Sequence, residues 1–479
     1  MLLAPDLCYQ ALTARDPRFD GRFFVGVSST GIYCRPVCRV RVPKRQNCSF
    51  YPSAAAAESA GYRPCLRCRP ELAPGNAAVD ASARLAQQAA SLIEDGLLAE
   101  VSVEALAGRL GVTDRHLRRV FAAEFGVSPV QFAQTQRLLL AKRLLHDSRL
   151  PATEVALASG FGSLRRFNAL FKERYRLSPT ELRRTPATAS RSDALIFELS
   201  YRPPLDWRAM SEFLAARAIP GVEAVEGDTY VRSISLGAGA TRQHGWIAVA
   251  PAAGKPVLKA ALSPSLVRAV PAMISRVKKV FDLACEPRLI AAALDPLANA
   301  RPGMRLPGAF DGFEIAVRAV LGQQVTVKAA RTLAGRFVAG FGEQIETPFG
   351  GIGYLFPGPE RIAALEPSEI AERGVIASRA RSIIALARAL ASGELALHPG
   401  ASVDHTLLQL RAIPGVGDWT AQYIAMRALS WPDAFPASDY GVLTAMGEKD
   451  PRRALARAEA WRPWRAYAVM HLWKSLEEP

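Results

Sequence analysis

Residues 29–70 have the sequence STGIYCRPVCRVRVPKRQNCSFYPSAAAAESAGYRPCLRCRP, in which four of the chain's seven cysteines form two close pairs. Cys34 and Cys38 are separated by three residues, and Cys65 and Cys68 by two. In a reducing compartment, pairs at this spacing favour a metal site over disulfides. Two chelating pairs supply the four sulfur ligands of a tetrahedral Zn²⁺ ion, so we expect this segment to fold around one zinc. The spacing alone leaves open whether that zinc is only structural.

The cysteine segment is also strongly basic. Nine basic residues and one acidic residue lie between Arg22 and Arg69, and residues 1–190 carry a net charge of +11 out of +16 for the whole chain. A basic segment of this kind indicates a polyanionic partner, and nucleic acid is the first candidate. An arginine-rich genome is the alternative explanation, and the charge alone does not decide between the two.

The composition excludes disordered and membrane-spanning classes. The chain has 479 residues, 49% hydrophobic and 22% charged, and we expect about three folded domains. No run approaches the ~18 apolar residues of a membrane span, and the N-terminus lacks the regions of a secretory signal. We therefore expect a cytoplasmic protein without a membrane partner.

A segment of about 27 residues occurs twice in the sequence, about 50 residues apart. VEALAGRLGVTDRHLRRVFAAEFGVSP (103–129) matches TEVALASGFGSLRRFNALFKERYRLSP (153–179) in having a short helix, a glycine turn, a hydroxyl cap and an arginine-rich helix. This order predicts two helix-turn-helix units with recognition helices at 113–125 and 163–175. The predicted DNA contacts are Arg115, His116, Arg118, Arg119, Arg165, Arg166 and Asn168. Contact with phosphate only, or with solvent, remains an alternative for each of them.

The sequence RAIPGVGDWTAQYIAM (411–426) predicts a glycine hairpin between two helices, and its amides are suited to a phosphate. An ordinary turn is the alternative for such a short motif. Asp439 follows in FPASDYGV, and WRPWRAYAVMHLW (461–473) closes the domain. Upstream, Gly-Gln-Gln interrupts a helix in FDGFEIAVRAVLGQQVTVKAA (310–330). Without further information, the aromatic residues here could be hydrophobic core and Asp439 a helix N-cap.

The cysteine segment closely resembles the N-terminal domain of the adaptive-response (Ada) methylphosphotriester-DNA methyltransferase family over about residues 5–73. The resemblance implies that Cys34, Cys38, Cys65 and Cys68 hold Zn²⁺, and that Cys34 also accepts a methyl group from a DNA phosphotriester. Methylation makes an anionic ligand neutral, which favours DNA contact through the surrounding arginines. The arginines expected to make this contact are Arg35, Arg39, Arg45, Arg63 and Arg67.

The repeat resembles the AraC-type DNA-binding domain over about residues 84–184. The C-terminal segments resemble helix–hairpin–helix DNA glycosylases, specifically the 3-methyladenine DNA glycosylase II (AlkA-type) family, over about residues 194–479. That resemblance implies a catalytic carboxylate at Asp439, a base pocket of Trp419, Tyr423 and Trp473, a DNA wedge at Gln324, and a phosphate-binding hairpin of Ile413, Pro414, Gly415, Val416 and Gly417. The family often has leucine at the wedge, so glutamine departs from its pattern.

An alkylated purine such as 3-methyladenine is cationic and leaves readily. An aromatic pocket suits the extruded base, and a carboxylate suits the oxocarbenium-like sugar. Trp419 stands where lyases of the superfamily carry lysine, so we expect hydrolysis without a Schiff base. No cysteine follows Cys285, so we expect no iron–sulfur cluster, and a monovalent cation is a further expectation at the hairpin carbonyls. The O6-alkylguanine methyltransferase motif Pro-Cys-His-Arg does not occur.

We therefore predict a multidomain α+β chain with four parts. These are a small zinc-binding α/β domain (1–75), an all-α double helix-turn-helix domain (84–185), a strand-rich α/β subdomain (193–283) and an all-α helix–hairpin–helix glycosylase domain (284–479). Linkers are expected at 74–83 and 186–193.

The predicted function combines methylphosphotriester repair, regulated DNA binding and excision of alkylated bases. One alternative is a transcriptional regulator whose C-terminal half binds damaged DNA without excision. The other is a glycosylase whose N-terminal modules only anchor it to DNA. The expected partners are duplex DNA, at damage and promoter sites, and RNA polymerase, with the chain acting as a monomer on the bacterial nucleoid.

Overall fold

A computed structural model describes residues 4–16, 19–73, 81–99, 101–148, 150–183, 194–237 and 242–477. The chain divides into two compact units. The first unit comprises Met1–Pro203, Ala252–Lys278 and Leu283–Glu286, and the second comprises Pro204–Pro251, Lys279–Asp282 and Pro287–Pro479. The predicted linker at 186–193 lies outside the described residues. The linker predicted at 74–83 ends earlier than expected, because a helix already begins at Ala81.

The N-terminal part of the first unit is a small α/β fold. Its elements are α1 (Pro5–Thr13), β1 (Phe24–Val27), β2 (Ile32–Cys34), β3 (Cys48–Tyr51), α2 (Ala54–Ser59) and β4 (Arg63–Pro64). The sheet order is β3-β1-β2-β4, in which β1 is antiparallel to both neighbours and β2 is parallel to β4. Tyr33 pairs with Pro64, so the parallel pair brings Cys34, the last residue of β2, and Cys65, the residue that follows β4, to the same edge.

The following part of the first unit is helical. It contains α3 (Ala81–Glu94), α4 (Val103–Arg109), α5 (Asp114–Phe125), α6 (Pro129–Asp147), α7 (Ala152–Ala158), α8 (Leu164–Tyr175) and α9 (Pro179–Arg183). The two predicted repeats form α4–α5 and α7–α8. Thr113 and Ser163 cap the second helix of each pair by accepting a backbone N–H three residues on, and Gly111 and Gly160 adopt the positive φ of the turn. Both helix-turn-helix units are thereby present.

The strand-rich segment contains β5 (Leu195–Ser200), α10 (Trp207–Arg217), β6 (Glu223–Glu226), β7 (Thr229–Leu236), β8 (Gln243–Pro251) and β9 (Val257–Leu262). In the first unit, β5 and β9 form an antiparallel pair from Leu195↔Leu262 to Ser200↔Val257. In the second unit, β6, β7 and β8 are antiparallel neighbours in that order. The burial of β5 alternates along most of the strand, which is the pattern of a sheet with one covered face.

The remaining chain is mostly helical. Its elements are α11 (Val270–Val280), α12 (Pro287–Ala293), α13 (Gly312–Leu321), α14 (Val327–Phe341), β10 (Glu343–Gln344), β11 (Tyr354–Leu355), α15 (Pro359–Ala363), α16 (Pro367–Ala371), α17 (Ala377–Ala391), α18 (Val403–Ala412), α19 (Asp418–Ala428), α20 (Tyr440–Ala445), α21 (Pro451–Ala458) and α22 (Arg465–Ser475). The core of the second unit joins helices distant in sequence through fully buried side chains such as Phe337, Ile383, Leu410 and Ile424.

The C-terminal part was expected to be all helical, and the β10–β11 pair departs from that expectation. Gly351, at a φ of 88°, lies in the segment that returns the chain to pair Glu343 with Leu355. Across the described ranges, none of the helices combines the length and apolar character that crossing a membrane requires.

Candidate functional site

The four paired cysteines come together in the first unit. Their Sγ atoms lie within 4.8 Å of one another, and Cys34, Cys38 and Cys65 are buried. Zn–S bonds of about 2.3 Å place the sulfur atoms of a tetrahedron about 3.8 Å apart, so the cluster fits one Zn²⁺. The backbone N–H of Arg35 donates to Cys68 Sγ over 3.4 Å, a hydrogen bond that suits a thiolate acceptor. A sulfur donor set and this N–H donor both favour zinc over hard cations such as Mg²⁺.

Arg35 was expected on the DNA-facing surface, and the structure corrects this expectation. The residue is only 6% exposed, and its guanidinium forms a bidentate ion pair with Asp20. It also donates to the Cys68 carbonyl over 3.1 Å and to Ser200 Oγ over 3.0 Å. A buried guanidinium needs such partners, so Arg35 holds the edge of the cysteine cluster instead of meeting solvent.

Glu58 joins the zinc-binding fold to the helical region within the first unit. Its carboxylate accepts hydrogen bonds from Tyr33 Oη and from Thr135 Oγ1 on α6, each over 3.0 Å. Burial raises the pKa of Glu58 to about 7, although these two hydrogen bonds act in the opposite direction. Lys142, two helical turns further along the same side of α6, pairs with Glu71 at 2.7 Å. The residue before the predicted nucleophile is therefore linked through one carboxylate to the helix between the two helix-turn-helix units.

The predicted recognition residues are solvent-accessible along α5 and α8. Arg115 and Arg119 are exposed on the first helix, and Arg165, Arg166 and Asn168 on the second. The remaining two have partners on their own helix. Arg118 pairs with Asp114 at 2.8 Å, and His116 Nδ1 lies 3.2 Å from Arg119 Nη2. The structure places these side chains on accessible helices, and their contacts with DNA remain predictions.

The second unit contains the predicted hairpin between α18 and α19. Gly415 has a φ of 84°, and a Cβ there would lie 2.3 Å from Ser382 Oγ, so both conformation and space require glycine. Ser382 Oγ donates to the Pro414 carbonyl over 2.7 Å and holds the turn. Gly417 is the N-cap of α19, and the hairpin is exposed apart from the buried Val416 and the half-buried Ile413. An exposed helix N-terminus preceded by glycine is a favourable place for a phosphate.

Asp439 is both an N-cap and the centre of the predicted aromatic site. One carboxylate oxygen accepts from the backbone N–H of Val442 over 2.9 Å and from Trp473 Nε1 over 2.8 Å. The other oxygen accepts from Trp419 Nε1 over 2.8 Å. Two indoles from different helices therefore orient one half-buried carboxylate. Asp439 is an N-cap, as the alternative interpretation of the sequence expected, and it also lies beside the predicted aromatic residues.

The three predicted aromatic residues form one cluster. Trp419 and Tyr423, four residues apart on α19, stack with ring centroids 5.5 Å apart, and Trp473 lies 6.3 Å from Tyr423. All three remain partly exposed, which distinguishes them from core residues. Such an arrangement presents ring faces and a fixed carboxylate to a flat ligand.

Sequence reasoning missed the arginines beside this cluster. Arg427 Nη1 donates to Tyr423 Oη over 2.9 Å, and the Arg217 guanidinium lies 3.9 Å from the ring centroid of Phe213. Burial would raise the pKa of Tyr423, but the nearby positive charges of Arg427, Arg217 and Arg318 outweigh it and lower that pKa. Arg427 could have been found from its i+4 spacing to Tyr423. Arg217 belongs to α10, more than 200 residues before Tyr423, and no local sequence pattern predicts that it lies near this cluster.

The predicted wedge lies in the loop between α13 and α14. Gln324 is exposed, with a φ of 51°. Its neighbour Gln323 donates from Nε2 to the Gly415 carbonyl over 2.8 Å and to Thr420 Oγ1 over 2.9 Å. The wedge loop is thus attached to the hairpin.

Four family models match successive parts of the chain. They describe the metal binding domain of Ada (residues 7–71), a helix-turn-helix domain (106–185), the AlkA N-terminal domain (196–311) and the HhH-GPD superfamily base excision DNA repair protein (317–465).

Known proteins are similar over the whole chain or its C-terminal part. A probable bifunctional transcriptional activator/DNA repair enzyme AlkA from Mycobacterium tuberculosis (strain ATCC 25618 / H37Rv) is 39% identical, covering 98% of this chain and 96% of its own length. DNA-3-methyladenine glycosylase 2 of Escherichia coli (strain K12) is 36% identical over 58% of this chain and 96% of its own length. The solved 3-methyladenine DNA-glycosylase from Archaeoglobus fulgidus shares the fold, with a TM-score of 0.50 at 20% identity over 58% of this chain and 97% of its own.

Proposed function

Because this chain belongs to the family of bifunctional transcriptional activator/DNA repair enzymes that join an Ada-type metal-binding domain to an AlkA-type glycosylase, we propose that it removes alkyl damage at two sites. The second unit excises alkylated bases such as 3-methyladenine. The first unit accepts a methyl group from a DNA phosphotriester and binds DNA in response. The observation that carries the proposal is the Asp439 carboxylate, which Trp419 and Trp473 hold beside the aromatic cluster.

The excision site is built for a base that has been turned out of the helix. The ring faces of Trp419, Tyr423 and Trp473 stack on the extruded base, and the hairpin amides bind a phosphate next to the lesion, with the hairpin carbonyls holding a monovalent cation. As the glycosidic bond breaks, the base leaves with the bonding electrons and positive charge develops on the sugar. The Asp439 carboxylate stabilises that charge and orients the water that adds to C1′. The water loses a proton to solvent as it adds, so the products are the neutral free base, an abasic site and one proton.

We further propose that excision involves no lyase step. A lyase of this superfamily requires an amine that forms a Schiff base with C1′, and the second position after the hairpin, where that lysine is expected, carries Trp419. Its indole nitrogen is not basic, and its N–H is committed to Asp439 over 2.8 Å. Hydrolysis is then the only outcome of bond cleavage at this site.

In the first unit, Cys34 is the proposed methyl acceptor. The four cysteines of the cluster would hold one Zn²⁺, which would keep their sulfurs as thiolates at neutral pH, so that the Cys34 nucleophile would need no general base. The Cys34 Sγ atom attacks the methyl carbon in line, the C–O bond breaks, and its electron pair returns to the phosphate oxygen. The phosphate regains its negative charge and Cys34 becomes a thioether, which does not revert. Each chain therefore accepts one methyl group.

Methylation of Cys34 is expected to tighten DNA binding, because it removes one negative charge from the four-sulfur cluster, which we propose to meet the DNA phosphates. One charge pair at ~4 Å in water is worth ~1 kcal/mol, so we expect Kd to fall by roughly fivefold. Kd would be measured at one fixed salt concentration, on a duplex carrying a binding site selected from random sequence. Chain incubated with unmethylated DNA is the control, and equal Kd values for the two preparations would refute the switch.

We propose that methylation of Cys34 affects DNA binding through contacts between the zinc-binding fold and α6 in the first unit. Tyr33, next to the acceptor, reaches α6 through Glu58 and Thr135, and α6 connects the two helix-turn-helix units. We propose that α5 and α8 lie in successive major grooves of promoter DNA, and that the chain acts there as a monomer with RNA polymerase as a further partner.

A further inference from the structure

The wedge loop between α13 and α14 carries the amide side chain of Gln324, although an apolar side chain would be enough to fill the gap left by an extruded base. Gln324 is exposed, and in the part of the chain that the structure describes no interaction holds its side chain. Val325 and Val327, its exposed neighbours at 36% and 44%, have side chains that cannot hydrogen-bond. The side-chain amide of Gln324 therefore offers both a donor and an acceptor to a ligand, whereas Thr326 Oγ1, between the two valines, already accepts from the Ala329 N–H to cap α14.

This amide is presented on a constrained backbone. Gln324 has a φ of 51°, a conformation that is unfavourable for a non-glycine residue and persists only where its surroundings hold it. The surroundings do so on both sides. The Gln323 amide donates to Gly415 of the hairpin and to Thr420 of α19, and its carbonyl accepts from Arg379. On the other side, Thr326 caps α14. A residue held in this way returns to one position relative to a phosphate bound at the hairpin.

We propose that Gln324 reads the orphaned base, the one left in the helix opposite the extruded lesion, and that it selects pyrimidines over purines there. The inference rests on the proposed function, because it requires a base to be extruded. It adds a specificity-determining residue to the reaction.

The chemistry of the amide fits either pyrimidine. Thymine presents an N3–H donor beside the O4 acceptor, and cytosine presents the N3 acceptor beside an N4–H donor. A glutamine amide has one carbonyl acceptor and an NH₂ donor, so rotation by half a turn matches it to either base. A leucine side chain would fill a similar volume and match neither.

The size of the gap favours the same bases. Extrusion of a purine leaves a wide gap opposite a pyrimidine, and the long glutamine side chain spans it. An orphaned purine extends further across the helix and leaves less room for the amide. By pairing with an orphaned pyrimidine, Gln324 tests whether the extruded base was a purine, the class to which 3-methyladenine belongs.

The test measures Kd for duplexes with a tetrahydrofuran abasic analogue opposite thymine, cytosine, adenine, guanine or 2,4-difluorotoluene, a nonpolar thymine isostere. For the full-length parent chain, we expect binding opposite thymine and cytosine to be roughly five- to tenfold tighter than opposite the purines and the isostere, the worth of one or two neutral hydrogen bonds. In Gln324→Leu the preference for thymine over its nonpolar isostere should fall below about twofold, because leucine forms no hydrogen bonds, whereas a preference that depends on size alone would remain. Gln344→Leu makes the same exchange at another exposed glutamine of the second unit and should keep the parent spread.

The outcomes separate this inference from the function on which it rests. Preferential binding of the abasic duplexes with no dependence on the opposing base would overturn the role of Gln324 alone. The same holds if Gln324→Leu retained the parent's discrimination between thymine and its isostere. No preference for an abasic duplex over undamaged DNA would overturn the proposed function together with this inference.

Discussion

Asp439→Asn is expected to slow release of 3-methyladenine by roughly 10²- to 10³-fold or more, because it removes the charge that stabilises the oxocarbenium-like sugar. Asparagine has nearly the same size, and its carbonyl oxygen can still accept from the Val442 N–H, so α20 keeps its cap. Single-turnover base release from methylated duplex measures the effect. Affinity for a duplex with an abasic analogue should be retained.

The structure offers a matched control. Asp450 caps α21 by accepting from the Arg452 N–H over 2.9 Å, and it is exposed. Asp450→Asn makes the same exchange at another N-cap of the second unit and should release base at the parent rate. Excision by Asp439→Asn at the parent rate would refute the assignment of the carboxylate. A covalent protein–DNA adduct trapped by borohydride would refute the hydrolytic mechanism, because Trp419 cannot form it.

Replacing Cys65 by serine is expected to release the zinc and unfold residues 19–73. The sheet there is short, with β4 only two residues long, so metal binding supplies much of the folding free energy, about 10 kcal/mol or more for structural zinc sites. Metal analysis of the purified chain should give one zinc per parent molecule and less than a tenth of that in Cys65→Ser. Limited proteolysis should cleave within residues 19–73 in the variant only.

Cys48→Ala is the control for this change. Cys48 is buried in the same small fold but belongs to its apolar cluster and not to the four-sulfur cluster. The variant should keep one zinc per chain. A Cys65→Ser chain that retained a full equivalent of zinc would contradict the four-sulfur assignment.

Local patterns predicted the parts of this molecule whose causes are local. The two helix-turn-helix units follow from caps and glycine turns within each repeat, and Thr113 and Ser163 make the hydrogen bonds expected of them. The zinc cluster follows from two short spacings. The strand pairing that brings the two cysteine pairs together could not be predicted, because packing decides the parallel alignment of β2 with the two-residue strand β4.

Long-range contacts account for what sequence could not show. Arg35 was expected at the surface because its charge is visible in the sequence, whereas its partner Asp20 is fifteen residues away. The indoles that orient Asp439 lie 20 and 34 residues from it, so their convergence depends on the packing of α19 against the end of α22. The assignment of Asp439 came from family resemblance, and the geometry of its hydrogen bonds came from the structure.

The most direct test of two repair chemistries in one chain is incubation with excess methylated duplex, following base release and cysteine methylation in the same tube. We predict that the methyl group appears on Cys34 and saturates at one per chain, while release of 3-methyladenine continues well beyond one equivalent. If no base were released, the result would contradict the glycosylase assignment and support the alternative of a regulator whose C-terminal half binds damaged DNA without excision. A methyl group on Cys38, or on no cysteine, would contradict the assignment of the acceptor.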